Sequence, residues 1–393
     1  MATNKETPKR PHILLRILAT VLSLALGLGA FFLVLYRDEY NLTTLEHWLT
    51  YRNLETNALH NAEPFTHAGG GDLSMAYLND GIVFSSNSGT HYYSLTGELY
   101  TEEVLTMEHP ILDAAVSSAV VYDAGGKSLF LFRQAQEVFR LELEGGGDLL
   151  SARVNNSGWL TVTAQQSGYK GAVTVYNADC KEVIEIRLSS SFVMDAALSP
   201  DCKTVAVVTM DQYGGSFTSQ VRFYPINQTE PSSTISLGNA VVLDLDYESE
   251  QLWLLSEAQL MSIQTKDQEL KRYSFGRSYL KGCDFGGDGF ALLLLGRYRT
   301  GSATQAVTVG SNLTELASLP LDRQILDFDA SNIYCSLLTG SELTIYTSML
   351  VPYTVADTTQ YARHTALNRE GRALLASDQQ AWLYIPNSAV SGG

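Results

Sequence analysis

Over most of the chain, hydrophobic and polar positions follow a strand rhythm of short segments broken by turns. Apolar runs at 204–209, 251–255 and 289–295 each follow a turn such as Ser199-Pro200-Asp201 or Glu248-Ser249-Glu250. Next comes a run of alternating character (172–176, 341–346), and then a more polar one (182–188, 270–275). Regularly spaced short strands with almost no 3.6-residue periodicity predict an all-β fold.

The strands recur in register with a repeated signature. Ile111-Leu112-Asp113-Ala114-Ala115 is echoed by Val193-Met194-Asp195-Ala196-Ala197, Val242-Leu243-Asp244-Leu245-Asp246 and Ile325-Leu326-Asp327-Phe328-Asp329. Leu149-Leu150-Ser151-Ala152-Arg153 matches with Ser in the acid's place, and weaker copies centre on Ser74, Gly282 and His364. The eight markers (74, 113, 151, 195, 244, 282, 327, 364) are spaced by about 41 residues, the length of a four-stranded propeller blade. A solenoid would need capping units, which the pattern lacks, so radial closure is favoured. The last unit has only three strands, while 63–67 is extended and unpartnered. Pairing the two would close the ring and remove an open edge. The expectation is a WD-like β-propeller over 63–387 with eight blades, seven being the alternative.

One segment breaks the rhythm. Residues 17–36 carry no charge and are rich in Leu and Phe, long enough at 1.5 Å per residue to span a bilayer core of about 30 Å. A cleaved signal peptide would have a shorter apolar stretch, whereas this one continues through Phe31-Phe32-Leu33-Val34-Leu35. The expected organisation is a basic cytoplasmic tail (1–16), a transmembrane helix (17–36), a juxtamembrane spacer (37–62), the propeller, and a disordered tail (388–393). Thr43-Thr44-Leu45-Glu46 is a capping box that opens a short helix within the spacer.

Charge fits that division. Lys and Arg number 26 against 42 Asp and Glu, a formal net of −16. The part up to Arg37 is net +4 and the remainder net −20. Basic residues before the apolar helix place the N-terminus in the cytoplasm and the propeller outside. A body this acidic is a poor polyanion ligand, so no nucleic-acid partner is expected.

In these features the chain resembles a clostridial family of single-pass membrane proteins catalogued as a domain of unknown function. The resemblance rests on the basic tail, the Leu-rich anchor, Trp48-Leu49-Thr50-Tyr51-Arg52 and the WD-like blade 193–201, where Cys202 replaces the usual glycine of a Ser-Pro-Asp-Gly turn. It implies the fold and topology and carries over no functional residues.

Candidate chemistry is sparse. No Gly-x-Ser-x-Gly elbow occurs, and Ser278-Tyr279-Leu280-Lys281 lacks the companions of an acyl-enzyme motif. The seven His and four Cys show no metal-ligand spacing. Asp284-Phe285-Gly286-Gly287-Asp288-Gly289 imitates a calcium loop but has Gly286 at the third ligand position and Leu295 at the twelfth, so it reads as a turn. No cofactor, metal or catalytic residue is expected.

The recurring acids Asp113, Asp195, Asp244 and Asp327 begin the innermost strands and ring one channel mouth, with Asp246 and Asp329 on the same face two residues on. They are candidate ligand-binding residues, although such repetition is more typical of aspartates that tie down the preceding loop's amides. His364 breaks the pattern and completes the candidate set. Cys283 and Cys335 read as buried small hydrophobes, and a Cys180–Cys202 disulfide is conceivable but disfavoured by radial offset.

The expected function is non-enzymatic binding or scaffolding at the cell envelope, with the membrane held through the N-terminal helix and a protein or envelope partner on the propeller rim. The alternative is an extracytoplasmic hydrolase or lyase using His364 with Asp327 or Asp113 at the channel mouth. A signalling receptor is a third reading, but its internal tail of some 16 residues would need a partner for output.

Overall fold

The computed structural model describes residues 54–69, 73–213, 215–356 and 361–386. The chain divides into two units, Met1–Leu54 and Glu55–Gly393, the second of which is the propeller. The basic tail, the apolar run 17–36, the capping-box helix and the C-terminal tail lie outside the described residues. Among the described residues there is no helix, and so none long and apolar enough to cross a membrane.

Eight four-stranded antiparallel sheets account for the second unit. Seven are built from consecutive strands; the first strands span Ser74–Leu78, Pro110–Ala114, Leu149–Val154, Phe192–Leu198, Val242–Glu248, Tyr279–Asp284 and Ile325–Ser331. The eighth begins at His364–Leu367, and its fourth strand is the N-terminal Phe65–Thr66, paired with Ala381 and Gln380. This eight-bladed ring closes as the unpartnered stretch 63–67 predicts, and the seven-bladed alternative is set aside. Backbone bonds from Ala62 to Leu383, from Ile385 to His60 and from His67 to Gln379 (2.8, 2.9 and 3.1 Å) extend the seam beyond the two paired residues.

Every marker residue falls on the first strand of its blade, and these strands neighbour one another around the channel. Each blade's second strand is covered by protein on both sides, so Gly81–Ser86, Gln251–Ser256 and Phe290–Gly296 are buried at every position. Fourth strands have one wet face, and Gln136–Glu142 alternates exposed and half-buried throughout. The apolar core is divided accordingly into clusters that straddle neighbouring blades. One joins Val173, Val175 and Ile186 of blade 3 to Val205 and Val207 of blade 4, and another joins Trp253 of blade 5 to Leu293 of blade 6. At the seam between blades 8 and 1 the filling is aromatic: Phe65 meets Phe84 and Tyr93 at 6.4 and 5.7 Å, and His67 stacks on Phe84 at 4.7 Å.

In blades 3 to 7 the first strand carries an irregularity immediately before the marker, between Leu149 and Ser151, Val193 and Asp195, Val242 and Asp244, Leu280 and Gly282, and Ile325 and Asp327. A bulge adds one residue and re-aims the side chain that follows it. In these five blades the marker is thus the residue turned toward the channel. Cys202 sits in the left-handed region at φ 56°, where the related turn uses glycine.

The cysteine expectations hold in part. Cys335 is buried, but Cys283 is only half-buried, packed against the cluster between blades 5 and 6. Cys180 and Cys202 are free thiols: Cys180 packs against the cluster between blades 2 and 3, and Cys202 against the one between blades 3 and 4.

Candidate functional site

The channel is lined by two tiers of side chains, the markers and the residues two positions further on. Seven of these sixteen positions are aspartate, and Arg153 is their only Lys or Arg. Carboxylates crowded this closely need donors, and the structure supplies them between blades.

Arg153 is the hub. Its Nη2 donates to Asp195 Oδ2 of blade 4 and to Asp244 Oδ1 of blade 5, each at 2.6 Å. Its Nη1 lies 3.8 Å from Asp113 Oδ1 of blade 2. One guanidinium from blade 3 therefore ties three other blades together. Ser151, the marker of the same strand, donates to Asp195 at 2.5 Å. The three carboxylates hold Arg153 protonated against the cost of its burial.

The remaining acids clasp backbone. Asp113 Oδ2 accepts from the amide of Val154 at 2.8 Å, and Asp327 Oδ2 accepts from Thr365 at 2.8 Å. Asp329 Oδ2 accepts from Leu367 at 2.5 Å. In each case the amide belongs to the first strand of the next blade. This corrects the expectation that the marker acids fasten the preceding loop: here they staple adjacent blades. Asp195 and Asp244 also accept from the amides that follow them, Ala196 and Leu245.

Burial raises the pKa of several acids in this ring. Asp113, Asp284 and Asp327 are each pushed up to about 6, chiefly by desolvation. Asp246 is pushed up to about 8 by desolvation, with Asp113 and Asp244 adding repulsion. Asp329 is raised well above the ordinary range by burial and by repulsion from Asp284 on the neighbouring blade.

The structure brings Asp113, Asp195 and Asp244 together around Arg153 and leaves Asp327 and His364 apart, at the junction of blades 7 and 8. His364 Nδ1 stands 3.7 Å from Asp327 Oδ2, too far for a hydrogen bond, and burial lowers its pKa. Arg153 and Asp284 are channel residues that inspection of the markers misses. The two-residue step that puts Asp246 and Asp329 on the channel face would have found both.

A cavity of about 100 Å³ opens beside Arg153, lined by Asp113, Asn155, Asn156, Asp246 and Tyr247 among others. It has room for a few waters. Among the described residues no group of His, Cys, Asp and Glu has a metal-binding arrangement. Asp284 caps its own turn, accepting from Gly286 at 2.7 Å, in keeping with the reading of 284–289 as a turn.

The fold is shared with solved propellers of low sequence identity. The C-terminal WD40 domain of Sif2 matches at TM-score 0.56 and 12% identity, covering 78% of this chain and 93% of that one. The designed protein Ika8 matches at TM-score 0.56 and 12% identity, covering 81% and 98%. BamB from Moraxella catarrhalis matches at TM-score 0.51 and 12% identity, covering 83% and 99%. No curated protein matches the sequence. The described blades and the match of a family description across residues 55–349 agree, and the chain belongs to the family of unknown function DUF5711.

Proposed function

We propose that this protein is a membrane-anchored, extracytoplasmic propeller that binds a protein or envelope partner and catalyses nothing. The supporting observation is the use to which the channel's polar groups are put. Asp113, Asp195, Asp244 and Asp327 hold neighbouring blades through Arg153 or through backbone amides, which makes the ring a rigid platform. A hydrolase or lyase would need a base free to reach a substrate proton, and His364 has no aligned carboxylate to orient it. The anchor is read from the uncharged run 17–36, and the outward orientation from the basic residues before it.

The test has two arms. An epitope tag placed after Ile385 is expected to be stained by antibody on intact cells; staining only after permeabilisation overturns the location. Purified full-length protein is expected to turn over no hydrolase or lyase substrate in a broad panel. Turnover that His364→Ala abolishes would establish the enzyme instead.

A further inference from the structure

The two faces of the ring differ in a way that the blade repeat does not require. Because strands alternate in direction, linkers between blades and the loops joining second to third strands share one face, here the linker face. Loops joining first to second and third to fourth strands lie on the opposite face. The chain enters the ring at Asn61, bridged to Tyr384 where the last strand ends, so the polypeptide both arrives and leaves on the opposite face.

Among the described residues the six exposed aromatics are Tyr169, Phe192, Phe217, Tyr279, Tyr298 and Tyr361, and every one lies on or at the edge of the linker face. Leu243 (57% exposed) lies between them, one residue before the blade 5 marker. Together Phe192, Phe217, Leu243, Tyr279 and Tyr298 form an arc over three consecutive blades, 4 to 6.

The charge at one end of the arc is also out of character. In a body of net −20, the linker-face segments 275–281 and 297–304 of blade 6 contain Arg277, Lys281, Arg297 and Arg299 and no acid. Arg299 faces Glu257 at 3.5 Å, with both side chains well exposed, and Lys281 donates to the Arg299 carbonyl at 2.8 Å. Arg277 and Arg297 are exposed and have no acid partner among the described residues.

We infer that the linker face is a docking surface for an acidic peptide segment of a partner protein, whose apolar side chains rest on the aromatic arc while its carboxylates meet Arg277 and Arg297. Exposed Tyr and Arg around an apolar centre are the composition of interface hot spots. The two unpaired guanidiniums supply the charge complementarity, since Arg engages carboxylates bidentately. The inference rests on the reading of the protein as a binding module and adds where it binds and what it binds.

Full-length protein would be panned against a phage-displayed library of random linear peptides. The expected result is enrichment of peptides carrying both acidic and large apolar residues. Their affinity should fall about tenfold or more in Arg277→Glu/Arg297→Glu and in Tyr298→Ala, and stay unchanged in Met349→Ala on the opposite face. Equal melting temperatures of the variants would show that the ring is intact. Peptides that bind all variants alike, enrichment of neutral or basic peptides, or binding of dextran sulfate or anionic vesicles in place of peptides would each overturn the proposal. None of those outcomes bears on whether the protein is an enzyme or where it resides, which the epitope and turnover assays decide.

Discussion

Arg153 carries more of the architecture than any other single residue in the channel. Removing one partner from a buried charge cluster leaves uncompensated charge, at a cost of about 3–5 kcal/mol. Arg153→Met is therefore expected to lower unfolding stability by about that amount, measured by chemical denaturation. Adding Asp195→Asn and Asp244→Asn should restore part of the loss; no recovery would mean that packing, not charge, holds the hub. The pH response follows from the same ring. Native Asp246 keeps its proton to about pH 8, and Asp113, Asp284 and Asp327 keep theirs to about 6. Unfolded aspartates lose theirs near about 4. The native state thus binds more protons over that interval, and stability falls as pH rises through it. His67 acts in the opposite direction: burial lowers its pKa, Nε2 donates to the Ser377 carbonyl at 2.9 Å, and Nδ1 is buried without a partner. Its contribution is present above its ordinary value of about 6.5 and is lost as pH falls through the lowered one. Between about pH 6.5 and 8, above the histidine range and below that of unfolded thiols, the carboxyl effect dominates, so melting temperature is expected to decline there, and Asp246→Asn should flatten the decline. A flat wild-type profile would count against the protonated ring.

At the scale of elements, the seam is the structure's exposed joint. The closing strand Phe65–Thr66 pairs through two residues, whereas the other seven fourth strands pair through four to six. Flanking backbone bonds and the aromatic contacts of Phe65 with Phe84 and Tyr93 supply the rest of its hold. Phe65→Asp is expected to open the seam locally, raising amide exchange in blades 8 and 1 while blades 3 to 5 keep their protection. Uniform loss across the ring would show that closure and folding are one event. This closure was legible in the sequence, because a blade one strand short and a spare extended stretch are complementary defects. The blade count was legible too, since the markers recur on every first strand. Less legible was what the marker acids do: Asp113 reaches Val154 only because the next blade's first strand passes close by, a proximity set by ring curvature and not by local pattern. Arg153 lies within one of the repeats, yet its role follows only from the approach of Asp195 and Asp244 on the next two blades.

In the molecule as a whole, an uncharged N-terminal run precedes an acidic ring whose polar interior holds its own blades together. Its aromatic face lies opposite the side where the chain enters. The channel uses its carboxylates for cohesion, and the proposed recognition falls on the surface. The proposed function has the ring meet a partner outside the cell membrane. It is tested most directly by proximity labelling, with the labelling enzyme fused after Ile385 of the full-length chain in its native membrane. The expected result is a reproducible set of extracytoplasmic or envelope proteins whose labelling drops in Arg277→Glu/Arg297→Glu. Labelling dominated by cytoplasmic proteins would contradict it.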